Sequence, residues 1–274
     1  MSINETEIEW CSHTWNPVTG CRYKCVYCYA RRHAERFMLR NIDTSDVFKG
    51  RLIIDDPEYP EAEACVLLED KYRRDGKVKS YPFGFVPTFH KYRLVEPALM
   101  KKPATIFVCS MADLFGDWVP NEWKDDIFEA CLIAPQHNYL FLTKNVWGYS
   151  ETWGLPEGDN FWFGTTITAQ TDVCRISALP ARNTFISIEP IKEEIFLSPF
   201  SPQWVIVGAE SGNRKAKVVP KIEWLDEIAR FCMIRNIPLF MKNSLAPIWT
   251  GPLIQQFPEG IDVKKKSAIC KTCP

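Results

Sequence analysis

The feature that most limits the folds open to this chain is a series of short, β-rich apolar runs, several of them apolar without alternation. They are Glu7–Cys11, Gly84–His90, Ala104–Ser110, Tyr139–Thr143, Phe161–Thr166, Thr184–Ile188, Trp204–Gly208 and Pro238–Lys242. A strand apolar at nearly every position is buried on both faces, the condition of a parallel strand covered by helices. Helical patterns fall between several of the runs, over Tyr29–Arg40, Asn121–Ala134, Thr171–Leu179 and Lys221–Asn236. Strands alternating with helices predict an α/β fold, either a partial or complete (β/α) TIM-type barrel or an open doubly wound sheet. The chain has no clear linker or low-complexity block, so residues 1–274 read as one barrel-like domain carrying a charged insertion over 41–79.

Six of the runs end in polar residues. Ser110, with Asp113 just beyond, closes one, and Thr143-Lys144 and Thr165-Thr166 close the next two. Glu189, Glu210 and the pair Lys242-Asn243 follow in the same way. Polar groups at the C-terminal ends of parallel strands converge on one mouth, where such folds place their sites.

Lys and Arg number 33 against 34 Asp and Glu, a net charge of −1, which excludes a globally basic nucleic-acid binder but not a local basic patch. No run is long and apolar enough to span a membrane. The acidic, polar N-terminus is unlike an export signal, so a reducing, cytoplasmic setting is expected. Eleven cysteines in such a setting need a reason other than disulfides.

Cys232 and Cys131 sit on the apolar faces of helical patterns, and Cys174 and Cys65 read as core or incidental thiols. Cys21, Cys25 and Cys28 differ, because they form C-x3-C-x2-C directly after the Pro17-Val-Thr-Gly20 turn signal. Three thiols on one loop suit a cubane iron–sulfur cluster with one open iron. The alternative is zinc, with a fourth ligand from Cys11 or His13. Cys270 and Cys273, a C-x2-C pair in the 264–274 tail beside Lys264–Lys266, are candidates for a second cluster, zinc or redox chemistry, or are inert.

The cysteine pattern, with Tyr27 before its last member, resembles the radical S-adenosylmethionine (SAM) superfamily. Ile8-Glu-Trp10, Thr14-Trp-Asn-Pro-Val-Thr-Gly-Cys21, Ser110-Met-Ala-Asp-Leu-Phe115, Ser187-Ile-Glu-Pro190 and Val205-Ile-Val-Gly-Ala-Glu-Ser-Gly212 carry a narrower resemblance. They are similar to a phage- and mobile-element-associated, radical-SAM-like family of uncharacterised function, which spaces the first two cysteines further apart and has a shorter insertion. The resemblance implies a [4Fe–4S] cluster on Cys21, Cys25 and Cys28 and cleavage of SAM to a 5′-deoxyadenosyl radical. It also implies a reductant such as flavodoxin or ferredoxin and no membrane partner. A nucleotide or DNA base is the expected substrate, with a peptide or protein second.

Under that reading Tyr27, Ser110, Asp113, Thr143, Lys144, Thr166 and Glu210 are the candidates for binding SAM, and Glu189, Lys144 and Lys242 the catalytic candidates. Each has a plainer alternative. Asp113 can cap a helix, Glu189 can form a structural ion pair with Lys144 or Lys242, and Gly208 and Gly212 can serve a tight turn. Arg32, Arg36 and Arg40 make one face of a helix whose apolar face is Ala30, Ala34, Phe37 and Met38. That basic face is either solvated or binds phosphate. The Lys71–Arg74 stretch belongs to a lid or to a nucleic-acid grip. A non-enzymatic, zinc-stabilised nucleic-acid-binding protein is the reading from another class.

Overall fold

The computed structural model describes residues 3–37, 51–53, 65–74, 76–261 and 263. In chain order the elements begin with β1 (Asn4–Glu5), β2 (His13–Trp15), β3 (Val18–Thr19) and α1 (Tyr29–Phe37). Next come β4 (Arg51–Ile53), β5 (Cys65–Leu68), the hairpin of β6 (Arg73–Arg74) and β7 (Lys77–Val78), then β8 (Thr88–His90) and α2 (Glu96–Leu99). The second half holds β9 (Thr105–Val108), α3 (Asn121–Leu132), β10 (Asn138–Thr143) and β11 (Phe161–Thr166). It closes with β12 (Thr184–Ile188), β13 (Trp204–Val207), α4 (Ile222–Arg235) and β14 (Leu239–Met241).

The main sheet runs β1-β2-β9-β10-β11-β12-β13-β14. All its pairs from β2 onward are parallel, and β1 is antiparallel at the edge. Each central strand is buried on both faces, which is why the runs read as continuous rather than alternating. On one face Ile106, Phe141, Phe163, Ile186, Val205 and Met241 pack beneath the helices. On the other, Phe107, Leu140, Trp162, Phe185, Trp204 and Phe240 surround Trp10.

That inner cluster shows the sheet's shape. The Trp10 ring lies 4.7 Å from Phe107 of β9 and 6.4 Å from Trp204 of β13, centroid to centroid. Four strand spacings separate β9 from β13, about 19 Å if the sheet were flat. One indole reaches both only because the sheet curls around it. Among the described residues no pairing joins β14 back to β1 or β2, so the architecture is a curved, mainly parallel α/β sheet.

Several expectations need correction. Glu7–Cys11 forms no strand: Trp10 and Cys11 turn into the curled interior, and His13–Trp15 takes the place beside β9. Gly84–His90 contributes only Thr88–His90, in a separate sheet of order β3-β8-β5-β4. Its neighbours there come from the start of the chain and from within residues 41–79, a long-range pairing that no local pattern reports. Cys65, by contrast, is a core thiol as read: it lies buried in β5, and its Sγ donates to the Trp118 carbonyl at 3.1 Å. Thr171–Leu179 becomes a 3₁₀ helix over Gln170–Ala178. In α1, Ala30 and Ala34 are buried but Phe37 is exposed. Met38, Arg40 and most of 41–64 lie outside the described residues, as do Cys270 and Cys273.

Candidate functional site

The three-cysteine loop is built against the smaller sheet. Gly20 enters it at φ +89°, and a Cβ there would stand 2.2 Å from the Val86 carbonyl oxygen, so the backbones meet where only glycine fits. Gly20 N donates to the Met111 carbonyl (2.9 Å) and Cys21 N to the Phe85 carbonyl (3.2 Å). Cys28 N closes a turn onto the Cys25 carbonyl at 3.1 Å, and α1 starts at the next residue. From that helix the Arg31 guanidinium reaches back to the Cys21 and Tyr23 carbonyls at 3.1 and 3.3 Å while lying over the Phe85 ring. Arg31 N also donates to Cys28 Sγ at 3.3 Å. The loop is therefore held from β8's approach on one side and from α1 on the other. Burial, then the Asp113 carboxylate, push the Cys21 thiol up to about 12. The Tyr27 hydroxyl lies against Cys25 and Thr168, and burial raises its pKa.

The polar strand ends are cross-braced. Asp113, beyond β9, is buried, and its Oδ1 accepts from Thr143 Oγ1 (2.6 Å) and Phe115 N (3.2 Å). Its Oδ2 accepts from Lys144 N at 2.9 Å. Burial raises the Asp113 pKa against these hydrogen bonds. Asp113 thus ties the end of β9 to that of β10 and caps no regular helix. The arrangement makes Asp113→Asn costly: either amide orientation sets its NH2 against a backbone N–H, of Lys144 or of Phe115. Losing one of these buried bonds is expected to cost about 1–3 kcal/mol, read by chemical denaturation.

Glu189, after β12, pairs with Lys242 Nζ, after β14, at 2.6 Å. Its other oxygen accepts from Ser187 Oγ (2.9 Å) and Trp10 Nε1 (3.2 Å). Burial pulls the Lys242 pKa down, but the Glu189 carboxylate outweighs it, and the net shift is upward. A Cβ at Gly208 would stand 2.9 Å from Lys242 Cδ and 3.0 Å from Glu189 Oε1, so this glycine makes room for the pair. Of the two lysines considered for Glu189, the structure pairs it with Lys242. Lys144 makes no ion pair among the described residues.

Glu210, after β13, is gripped by Arg214 at 2.6 and 2.7 Å. That bond, reinforced by the charges of Arg214, Arg32 and Lys192, lowers the Glu210 pKa. A depressed carboxylate contributes stability that is present above its ordinary value of 4.5 and lost as pH falls through the lower folded value. Glu210→Gln should therefore melt lower than wild type near neutrality, with the gap narrowing on acidification. Thermal melts as a function of pH read this directly.

The three cysteines and the polar strand ends face one cavity of about 230 Å³. Cys21, Cys25, Cys28 and Tyr27 line it on one side. Ser110, Asp113, Thr143, Lys144, Thr166, Glu189, Glu210 and Lys242 line it from the strand ends. Several are already engaged: Thr143 by Asp113, Glu189 by Lys242, and Ser110 Oγ by Asn16 Oδ1 at 3.1 Å. Residues without a predicted role also belong to it. Trp10, Tyr23 and Ser187 line the cavity, and Arg31, Asn16 and Arg214 hold lining residues in place. Trp10 and Asn16 lie in the motifs Ile8-Glu-Trp10 and Thr14-Trp-Asn-Pro, but only the fold gives them a function. Among the described residues, no three Cys, His, Asp or Glu side chains are gathered around a single metal ion. No helix among them is long and apolar enough to cross a membrane.

Comparison with solved structures finds two mutants of spore photoproduct lyase, each with a TM-score of 0.51 and 8% sequence identity. The matches cover 88% and 87% of this chain and 78% of each neighbour. At that identity the likeness is one of fold. No curated protein matches the chain. Residues 5–247 match the model of a family described as "Protein of unknown function (DUF5131)", and the chain belongs to that family.

Proposed function

We propose that this protein is a radical SAM enzyme on a barrel-like fold. The reading is carried by the meeting of the C-x3-C-x2-C loop with the polar C-terminal ends of six parallel strands on one cavity. The donor set fits a [4Fe–4S] cluster. Cys21, Cys25 and Cys28 are half-buried thiols on one short loop, and in a cubane each thiolate meets a different iron. Thiols spread in this way need not surround one ion, as four zinc ligands must. Held by Cys21, Cys25 and Cys28, such a cluster would supply the electron for reductive cleavage of SAM to a 5′-deoxyadenosyl radical.

The chain's own residues then have distinct tasks. Lys144 sets a positive charge near Cys21, favouring its thiolate. Tyr27 and the braced ends of β9 and β10, with Ser110, Asp113 and Thr143, shape the wall for SAM, joined by Thr166 and Glu210. Glu189 and Lys242, fixed by Trp10 and Ser187, are the polar pair offered to the substrate. Trp10 and its aromatic neighbours close the cavity floor to water. A nucleotide or a DNA base is the proposed substrate and a peptide the second reading. A small reductant such as flavodoxin or ferredoxin is the proposed electron donor.

Anaerobic purification with iron and sulfide analysis tests this, followed by incubation with SAM and dithionite and measurement of 5′-deoxyadenosine. About four irons per chain and deoxyadenosine formation are expected. About eight irons would add Cys270 and Cys273 as ligands to a second cluster. Zinc without iron would overturn the enzyme reading and favour the zinc-stabilised binding protein.

A further inference from the structure

We infer that Arg32, Lys192 and Arg214 form a subsite on the cavity rim for the phosphates of a nucleic-acid strand. The inference names a substrate class for the proposed enzyme and rests on that reading only for what happens to the base. The three cations come from separate elements: α1, the connection after β12 and the connection after β13. They meet around Glu210. Arg214 neutralises that buried carboxylate through two hydrogen bonds. Arg32 Nη2 lies 3.6 Å from where a Gly212 side chain would begin, and Lys192 Nζ stands 4.7 Å from the centre of the Tyr27 ring. The charges of Arg32 and Lys192 both reach Glu210. Neither makes an ion pair of its own among the described residues.

Among these four groups two positive charges are left over, in a chain whose net charge is −1. Like charges brought together from three elements repel, and an anion bound between them relieves that repulsion. Aromatic groups separate a nucleic acid from an acidic protein as the source of that anion. The Tyr27 ring lies beneath Lys192 and lines the same cavity as Glu210. A cation beside an aromatic ring on a cavity rim suits a phosphate and its neighbouring base.

The test is fluorescence anisotropy of a labelled single-stranded oligodeoxynucleotide, titrated with the full-length chain at several salt concentrations. Arg32→Ala and Lys192→Ala should each weaken binding several-fold, and the log–log salt slope should become shallower by about 0.7 per contact removed. Lys192→Arg should restore both. The titration is run without SAM or reductant, so the result does not depend on SAM cleavage. Absence of binding by wild type, or unchanged binding by the Arg32→Ala/Lys192→Ala double variant, would overturn the inference. So would displacement of the oligonucleotide by polyglutamate at equal charge, which would assign the rim to an acidic protein. Weakened SAM retention in equilibrium dialysis with oligonucleotide binding unchanged would assign it to the SAM carboxylate instead.

Discussion

Cys25→Ala is expected to give a folded protein with no bound iron and only background 5′-deoxyadenosine. Cys25 sits on the surface loop, where its backbone carbonyl, not its side chain, closes the turn to Cys28. Gly20, Phe85 and Arg31 hold the loop without help from the thiol. Its removal therefore leaves the scaffold standing and deletes one of the three proposed cluster ligands. Two thiolates leave two irons of a cubane open to solvent, and the cluster is lost. Cys174→Ala and Cys232→Ala make the contrast. Cys174 is exposed, and its loss should change neither iron content nor stability. Cys232 is buried in α4, so its loss should lower the melting temperature while iron stays bound. Full iron and activity in Cys25→Ala would remove the cluster assignment.

The second large effect is expected from Gly20→Ala, a residue with no chemistry of its own. Its φ of +89° costs a residue with a Cβ about 1–2 kcal/mol in backbone strain. Steric overlap is the greater obstacle, because the new Cβ would stand 2.2 and 2.5 Å from the Val86 carbonyl oxygen and carbon and 2.7 Å from the Phe85 oxygen. These are backbone atoms of the segment leading into β8, so no side chain can swing away. Relief requires the loop to part from the smaller sheet, breaking the Cys21 N bond to Phe85 and moving Cys21 away from the cavity. Gly20→Ala should thus lose most of its iron and melt well below wild type. Gly76→Ala is the control: its φ is also positive, but no atom lies within 4 Å of the added Cβ. Equal effects at the two positions would show that strain, not the close approach, is what matters at Gly20.

Much of the main sheet could be read directly. Phe161–Thr166 and Thr184–Ile188 have the expected bounds, and Asn138–Thr143 differs by one residue. Strands apolar on both faces, bounded by polar ends, declare themselves without reference to the rest of the chain. Where the reading failed, the decisive contact was distant. Glu7–Cys11 has a strand's composition, but Trp10 serves better as the plug of a curled sheet, with its indole N–H on Glu189. Gly84–His90 is apolar enough for the main sheet, yet β8 finds β3 and β5 first.

The site divides along the same line. Residue order was enough to establish which chemical groups are present and where each stands along the chain: three thiols within one loop and a polar group closing each of six strands. Parallel strands point their C-terminal ends the same way, so these groups were bound to share a mouth. The pairings within that mouth came from the folded chain alone. Lys242 rather than Lys144 holds Glu189, Arg214 holds Glu210, and Asp113 braces Thr143 and Lys144 N instead of standing free. A charge's partner is set by distances of a few ångströms across adjacent strands, and those distances exist only once the sheet has curled around Trp10.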